Sequence, residues 1–279
     1  MEHGPLVKTD WLAEQLDNPA VRVVDCRWYL KPFDNRDGNA EYQESHIPGA
    51  VHLLWNTDLA DPARPELGML ADPDRYTEVM SGHGIGDDTF VVCYDDQHVT
   101  VAARVWWTLR VYGHDRVAVL DGGYPKWVAE GRPVTSDVPV FERGSFPPRF
   151  RSELYSTRHD VLAAIGNEEV ALIDSRMQPA RLEDDGCIPG SLHLPGIEFV
   201  EEDGTWASTA EIQRRLADSG IGESDGIITY CRGGVGATGT ALALAIAGRY
   251  NVAVYDGSWS EWILDPSVPR APLEEGEPS

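Results

Sequence analysis

The 279-residue chain has no apolar run near the ~18 residues of a membrane span, and Met1-Glu2-His3-Gly4-Pro5 has no basic stretch leading into an apolar core. A cytoplasmic protein without a membrane partner is expected. Cysteine is scarce: Cys26, Cys93, Cys187 and Cys231 are far apart, and no two form a Cys-x-x-Cys pair. This excludes a disulfide framework and predicts four free thiols. The histidines form no ligand cluster either, so neither a metal nor a cofactor is expected. Basic residues are few, 23 Lys and Arg against 46 Asp and Glu, and the net charge of −23 is spread over both halves. A nucleic-acid backbone would be repelled by that field, and a small-anion site must bring its own arginines.

What is present is an ordinary globular composition, 42% hydrophobic and 25% charged, and an internal repeat. Val23-Val24-Asp25-Cys26-Arg27 returns as Leu172-Ile173-Asp174-Ser175-Arg176, and His46-Ile47-Pro48-Gly49 returns as Cys187-Ile188-Pro189-Gly190. Val91-Val92-Cys93-Tyr94-Asp95 returns as Ile227-Ile228-Thr229-Tyr230-Cys231, and Val117-Ala118-Val119-Leu120-Asp121-Gly122-Gly123 as Val252-Ala253-Val254-Tyr255-Asp256-Gly257-Ser258. The order is kept while the offset shrinks from 149 to 135, as in a duplicated domain whose second copy has shorter loops. Val134 to Ser152, rich in Pro and Gly, reads as an extended linker, with domains over 1–143 and 144–279 and a flexible acidic, proline-rich tail from about 266.

Within each copy, short Val- and Ile-rich runs alternate with helical stretches. Phe90 to Tyr94 precedes Thr100 to Tyr112, and Gly226 to Tyr230 precedes Ala237 to Ala247. The pattern predicts an α/β fold, a small parallel sheet flanked by helices in each copy, with sites at the carboxyl ends of strands. Cys231 stands at such an end, in Tyr230-Cys231-Arg232-Gly233-Gly234-Val235-Gly236. Glycines let the backbone curl its amides inward, and the helix N-terminus adds partial positive charge, an environment that favours a thiolate nucleophile. Asp95 occupies the same place in the first copy, followed by Asp96-Gln97-His98-Val99, and a carboxylate cannot carry sulfur. That copy is expected to be non-catalytic.

The run Tyr42 to Leu53, with its His46-Ile47-Pro48-Gly49 turn, and Val252-Ala253-Val254-Tyr255-Asp256-Gly257-Ser258-Trp259-Ser260-Glu261-Trp262 resemble the two signatures of tandem-domain rhodaneses. The resemblance implies two rhodanese domains, persulfide chemistry on Cys231 and a first copy that walls the active-site cleft. It also implies substrate binding by Arg232, Gly233, Gly234, Val235 and Gly236, with Arg181 near the family's substrate-binding arginine and Trp28 a possible cleft aromatic. The partners would be a small anionic sulfur donor and a thiophilic acceptor. A phosphatase of this fold needs Arg six places after the cysteine, and position 237 is Ala.

Thiosulfate sulfurtransferases of the family carry Cys-Arg-Lys-Gly-Val-Thr and 3-mercaptopyruvate sulfurtransferases Cys-Gly-Ser-Gly-Val-Thr. Here Arg232 matches the first class, while Gly233 and Gly236 depart from both. Gly233 has no hydroxyl for the proton relay that the family assigns to serine. The reading is therefore transfer from thiosulfate, with Arg232 and Arg181 gripping the dianion. The alternatives are 3-mercaptopyruvate as donor and a non-enzymatic sulfur-carrying or regulatory module.

Overall fold

The computed structural model describes residues 4–31, 33–64, 68–96, 100–184, 186–222 and 226–273. Gln97, His98 and Val99, as well as the last six residues of the expected tail, lie outside them. The chain divides into two compact units, Met1–Arg151 with Val200–Trp206, and Ser152–Phe199 with Ala207–Ser279.

In the first unit, β1 (Leu6–Val7), β2 (Val21–Asp25), β3 (Val51–His52), β4 (Phe90–Tyr94) and β5 (Val117–Leu120) form one parallel sheet in the order β1-β5-β4-β2-β3. The helices are α1 (Thr9–Gln15), α2 (Gly38–Glu44), α3 (Pro73–Gly82), α4 (Thr100–Val111) and α5 (Gly123–Ala129). All residues of β2 and β4 are buried, as strands covered on both faces require; β4 is a continuous apolar run, and β2 carries buried Arg22 and Asp25 among its valines. At α3, Asp72 accepts from the amides of Asp74 and Arg75, and Pro73 at the first position gives up no needed donor.

The second unit repeats the plan. β6 (Tyr155–Ser156), β7 (Val170–Asp174), β8 (Leu192–His193), β9 (Gly226–Tyr230) and β10 (Val252–Tyr255) form a parallel sheet in the order β6-β10-β9-β7-β8. It carries α6 (Arg158–Ala164), α7 (Gln178–Asp184), α8 (Thr209–Asp218), α9 (Val235–Ile246) and α10 (Ser258–Trp262). Its core gathers Val161, Leu172, Ile188, Tyr230, Tyr255, Trp259 and Trp262, so the signature run Val252 to Trp262 contributes packing residues here, while Tyr42, Ile47 and Ala50 of the other run pack in the core of the first unit.

Two segments are held more closely than their composition suggests. The linker has no long helix or strand, but its second half is fastened to the first unit beyond the boundary expected at 143. Gly144 N donates to Ser81 O, Phe146 is buried against Tyr76, and Arg149 N and Arg151 N donate to Tyr112 O and Val111 O. Residues 266–273 of the tail are likewise fastened to their unit. Val268 is buried, Trp262 Nε1 donates to Pro269 O, and Ala271 exchanges backbone bonds with Cys187. Proline-rich composition suggested a loose chain, but here it makes extended segments whose amides pair with the body of each unit.

Candidate active site

Each copy ends β2 or β7 on a buried carboxylate that its own arginine clamps. Arg27 Nη2 lies 2.7 Å from Asp25 Oδ2, and Arg176 Nη2 lies 2.6 Å from Asp174 Oδ2, all four side chains at most 2% exposed. These pairs fix the loops beside the next strand end. Ser175 N donates to Tyr230 O at 2.7 Å, tying the Asp174 loop to the last residue of β9.

Four residues, Cys231 to Gly234, connect β9 to α9. Gly234 takes φ +79°, a left-handed turn that would strain any residue with a Cβ, and among the described residues no side-chain cap hydrogen bond is made at the helix behind it. The opening amides of α9 are therefore presented to the turn with the positive end of a 12-residue helix. Gly236, in the first turn, lies so near that a Cβ added there would stand 3.8 Å from Cys231 Sγ and 3.4 Å from Ser175 O. Around Gly233 there is open space. Val235 is half-buried at the head of the helix.

The backbone of the turn is held by α10. Trp259 N donates to Cys231 O at 3.0 Å, and Ser260 N to Arg232 O at 2.9 Å. Cys231 N donates to Ser258 Oγ at 3.2 Å, and that hydroxyl donates to Tyr255 O at 2.8 Å. Ser258 is fully buried and has φ +51°, the one non-glycine at positive φ among the described residues. Sequence reasoning did not single it out. Its signal was the Gly123-to-Ser258 difference inside an otherwise matching repeat block.

The arginines expected to grip a dianion are both held by carboxylates. Arg181 is 2% exposed, with Nε 3.2 Å from Asp174 Oδ2, so it belongs to the buried network at the end of β7 rather than standing open to solvent. Arg232 extends to the end of α7, where Nε lies 3.1 Å from Asp184 Oδ2 and Nη2 lies 2.7 Å from Asp184 Oδ1 and 2.8 Å from Glu183 Oε2. Asp184 first, then Glu183, holds its guanidinium above the ordinary arginine range.

The other cysteines have different surroundings. Cys26 and Cys93 are fully buried in the first unit, where burial and then the neighbouring Cys93 push the Cys26 thiol well up. Cys187 sits beside its backbone pair with Ala271. Trp28 is half-buried in the first unit, edge-on to Trp55 at 5.2 Å.

At the matching turn of the first unit, Asp95 is 1% exposed, and its Oδ2 accepts from Ala102 N of α4 at 2.7 Å. Tyr124 N donates to Asp95 O at 2.9 Å, as Trp259 does to Cys231 O. A cavity of about 410 Å³ opens beside Asp95, Asp96, Lys126, Glu130 and Asp203. It is acidic and has no thiol in its lining.

Comparison with known proteins places this geometry. The model of the rhodanese-like domain matches twice, over residues 8–130 and 157–265. The chain belongs to the rhodanese family. Among relatives of this rhodanese, the thiosulfate sulfurtransferase of Rattus norvegicus is 38% identical over 96% of this chain and 93% of its own length. The 3-mercaptopyruvate sulfurtransferase of Rattus norvegicus is 32% identical over 93% and 92%. In structure, SseA from Escherichia coli, described as a 3-mercaptopyruvate sulfotransferase, superposes with a TM-score of 0.84 at 32% identity, covering 92% of this chain and 99% of that one.

Proposed function

We propose that this rhodanese is a sulfurtransferase that takes the sulfane sulfur of thiosulfate onto Cys231 and passes it to cyanide or a thiol. The observation that carries the reading is the placement of a cysteine between the end of β9 and the uncapped N-terminus of α9, with Gly236 against its sulfur. The Cys231 thiolate attacks the outer sulfur of thiosulfate. A new S–S bond forms, the old one breaks, and sulfite departs with its electron pair. Cyanide then attacks the outer persulfide sulfur, giving thiocyanate and the free thiolate, a ping-pong cycle. During the first half, negative charge lies on Sγ and on the sulfonate group. The α9 amides serve the former and Arg232 the latter, each charged hydrogen bond contributing about 1.5–3 kcal/mol. Gly233, Gly234 and Gly236 leave room for the extra sulfur, and the Asp95 copy transfers none.

A second reading, with 3-mercaptopyruvate as donor, draws support from the engagement of Arg181 and Arg232 by carboxylates, which lessens the pull on a dianion. Against it, Gly233 offers no hydroxyl to take the donor's thiol proton. Steady-state rates with both donors, with cyanide as acceptor, separate the readings. A higher kcat/KM for thiosulfate is expected, and a tenfold preference for 3-mercaptopyruvate would transfer the assignment to it. Absence of turnover with either donor, with no sulfur added to Cys231 by mass, would leave the non-enzymatic module.

A further inference from the structure

The pairing of Arg232 has a feature that sulfur transfer does not require. An arginine meant to receive an anionic donor is already occupied by two carboxylates, and these belong to one short element, the end of α7. The two differ in setting. Asp184 is 15% exposed and also lies 3.2 Å from Arg176 Nη1, so it is built into the buried network of Asp174 and Arg176. Glu183 is 69% exposed and touches Arg232 alone among its described partners. Arg232 itself keeps 41% of its side chain exposed, and its Nη2 is shared among Asp184, Glu183 and the carbonyl of Ala180. A guanidinium has five donors in a fixed fork, so an incoming anion competes directly with these acceptors for the same hydrogens.

We propose that Glu183 and Asp184 form a carboxylate latch on Arg232, which an anionic donor must open, so that the end of α7 sets how strongly the site discriminates against highly charged donors. Arg232 is taken as the donor's cation, so the proposal rests on the sulfurtransferase reading. An entering dianion meets two like charges within a few ångströms of its seat, and a monoanion meets half that repulsion. The donor gains the guanidinium only as the latch carboxylates lose it. The cost therefore falls on binding rather than on breakage of the S–S bond, and the latch specifies charge without touching the reacting sulfur.

Glu183→Gln is the clean variant, since its carboxylate is at the surface, and Asp184→Asn added to it extends the effect into the Arg176 network. Two measurements run side by side: steady-state KM and kcat for thiosulfate and 3-mercaptopyruvate, and the sulfate concentration that protects Cys231 from iodoacetamide, read by peptide mass. Expected for Glu183→Gln is a fall of about threefold in thiosulfate KM, about 0.7 kcal/mol at 1.4 kcal/mol per decade, and a parallel fall in the protecting sulfate concentration. The change should lie mainly in KM and be smaller for 3-mercaptopyruvate. Protection that tightens in a protein turning over no donor would keep the latch and remove the sulfurtransferase reading. Sulfate protection that is absent, or unchanged in both Glu183→Gln and the double variant, overturns the latch even when thiosulfate turnover is normal.

Discussion

The turn from β4 into α4 and the turn from β9 into α9 occupy the same place in the two copies and treat the helix N-terminus in opposite ways. In the first, the Asp95 carboxylate is itself the anion at the helix start, accepting from Ala102 N. In the second, no side chain of the described residues caps α9, and the position of that carboxylate belongs to Cys231. A tethered carboxylate stabilises its helix by about 0.5–2 kcal/mol and closes the site. Leaving the cap off forgoes that gain and, on the proposed reading, keeps the amides for a sulfur anion. The supporting residue changes with it. At Gly123, φ +57°, an added Cβ would stand 2.5 Å from Asp95 O, so only glycine fits. The second copy places Ser258 there at φ +51°, a backbone strain of about 1–3 kcal/mol, and its hydroxyl receives Cys231 N–H.

The strongest way to break this comparison is at the sulfur. Cys231→Ser should lower thiocyanate formation by more than ~10³-fold while the fold persists, because an alcohol forms no persulfide. Mass spectrometry of the donor-treated wild type should find one added sulfur, on Cys231. Sulfur on Cys26, Cys93 or Cys187 instead would refute the assignment.

Ser258→Ala keeps the Cβ at positive φ and removes the acceptor of Cys231 N–H. A fall of about tenfold in kcat/KM is expected, equal to 1.4 kcal/mol of transition-state stabilisation. Ser258→Gly, which relieves the strain but also lacks the hydroxyl, should lose a similar factor. If it keeps wild-type kcat/KM, the hydroxyl does not position the turn.

In the first copy, Asp95→Ala should cost about 1 kcal/mol in urea unfolding of the full chain, the value of a lost helix cap, with thiosulfate turnover altered far less. Asp95→Cys in a Cys231→Ser background should give no thiocyanate above background. Appreciable turnover there would show that the glycine turn is not what separates the copies.

The smallest effect expected is in acid. Thr9 first and then Arg132 hold the Glu130 carboxyl down at about 2, from an ordinary 4.5. Because the folded value is the depressed one, its stabilisation is complete above pH 4.5 and is lost as pH falls through about 2. Glu130→Gln should flatten the acid side of the stability curve in that window only. Curves that run parallel to wild type would show that the pair contributes nothing measurable, as many exposed pairs do.

The repeat makes much of the fold legible in the sequence. β4 and β9 coincide with the runs Phe90 to Tyr94 and Gly226 to Tyr230: β4 is buried throughout and apolar throughout, and the duplicated pattern locates β9, which opens on exposed Gly226. The Cys231 turn was legible because Gly233, Gly234 and Gly236 between a strand run and a helical run mark a tight connection. The seating of the linker and of residues 266–273 was not, since their amides are satisfied by partners such as Ser81, Tyr112 and Cys187, which no local pattern announces.

Chain order, the duplication, the helix and strand periods and the choice of cysteine over aspartate at one strand end were therefore set by sequence alone, being local or repeated properties of the residues. The tertiary structure decided where each charge goes. Arg181 and Arg232 look alike in the sequence as cations near a thiol, yet folding commits Arg181 to buried Asp174 and Arg232 to exposed Glu183 and largely buried Asp184. A buried guanidinium such as that of Arg181 must find a carboxylate wherever the packing provides one, and a half-exposed one such as that of Arg232 takes the carboxylates brought beside it, a choice made in three dimensions between groups that sequence spacing leaves unordered.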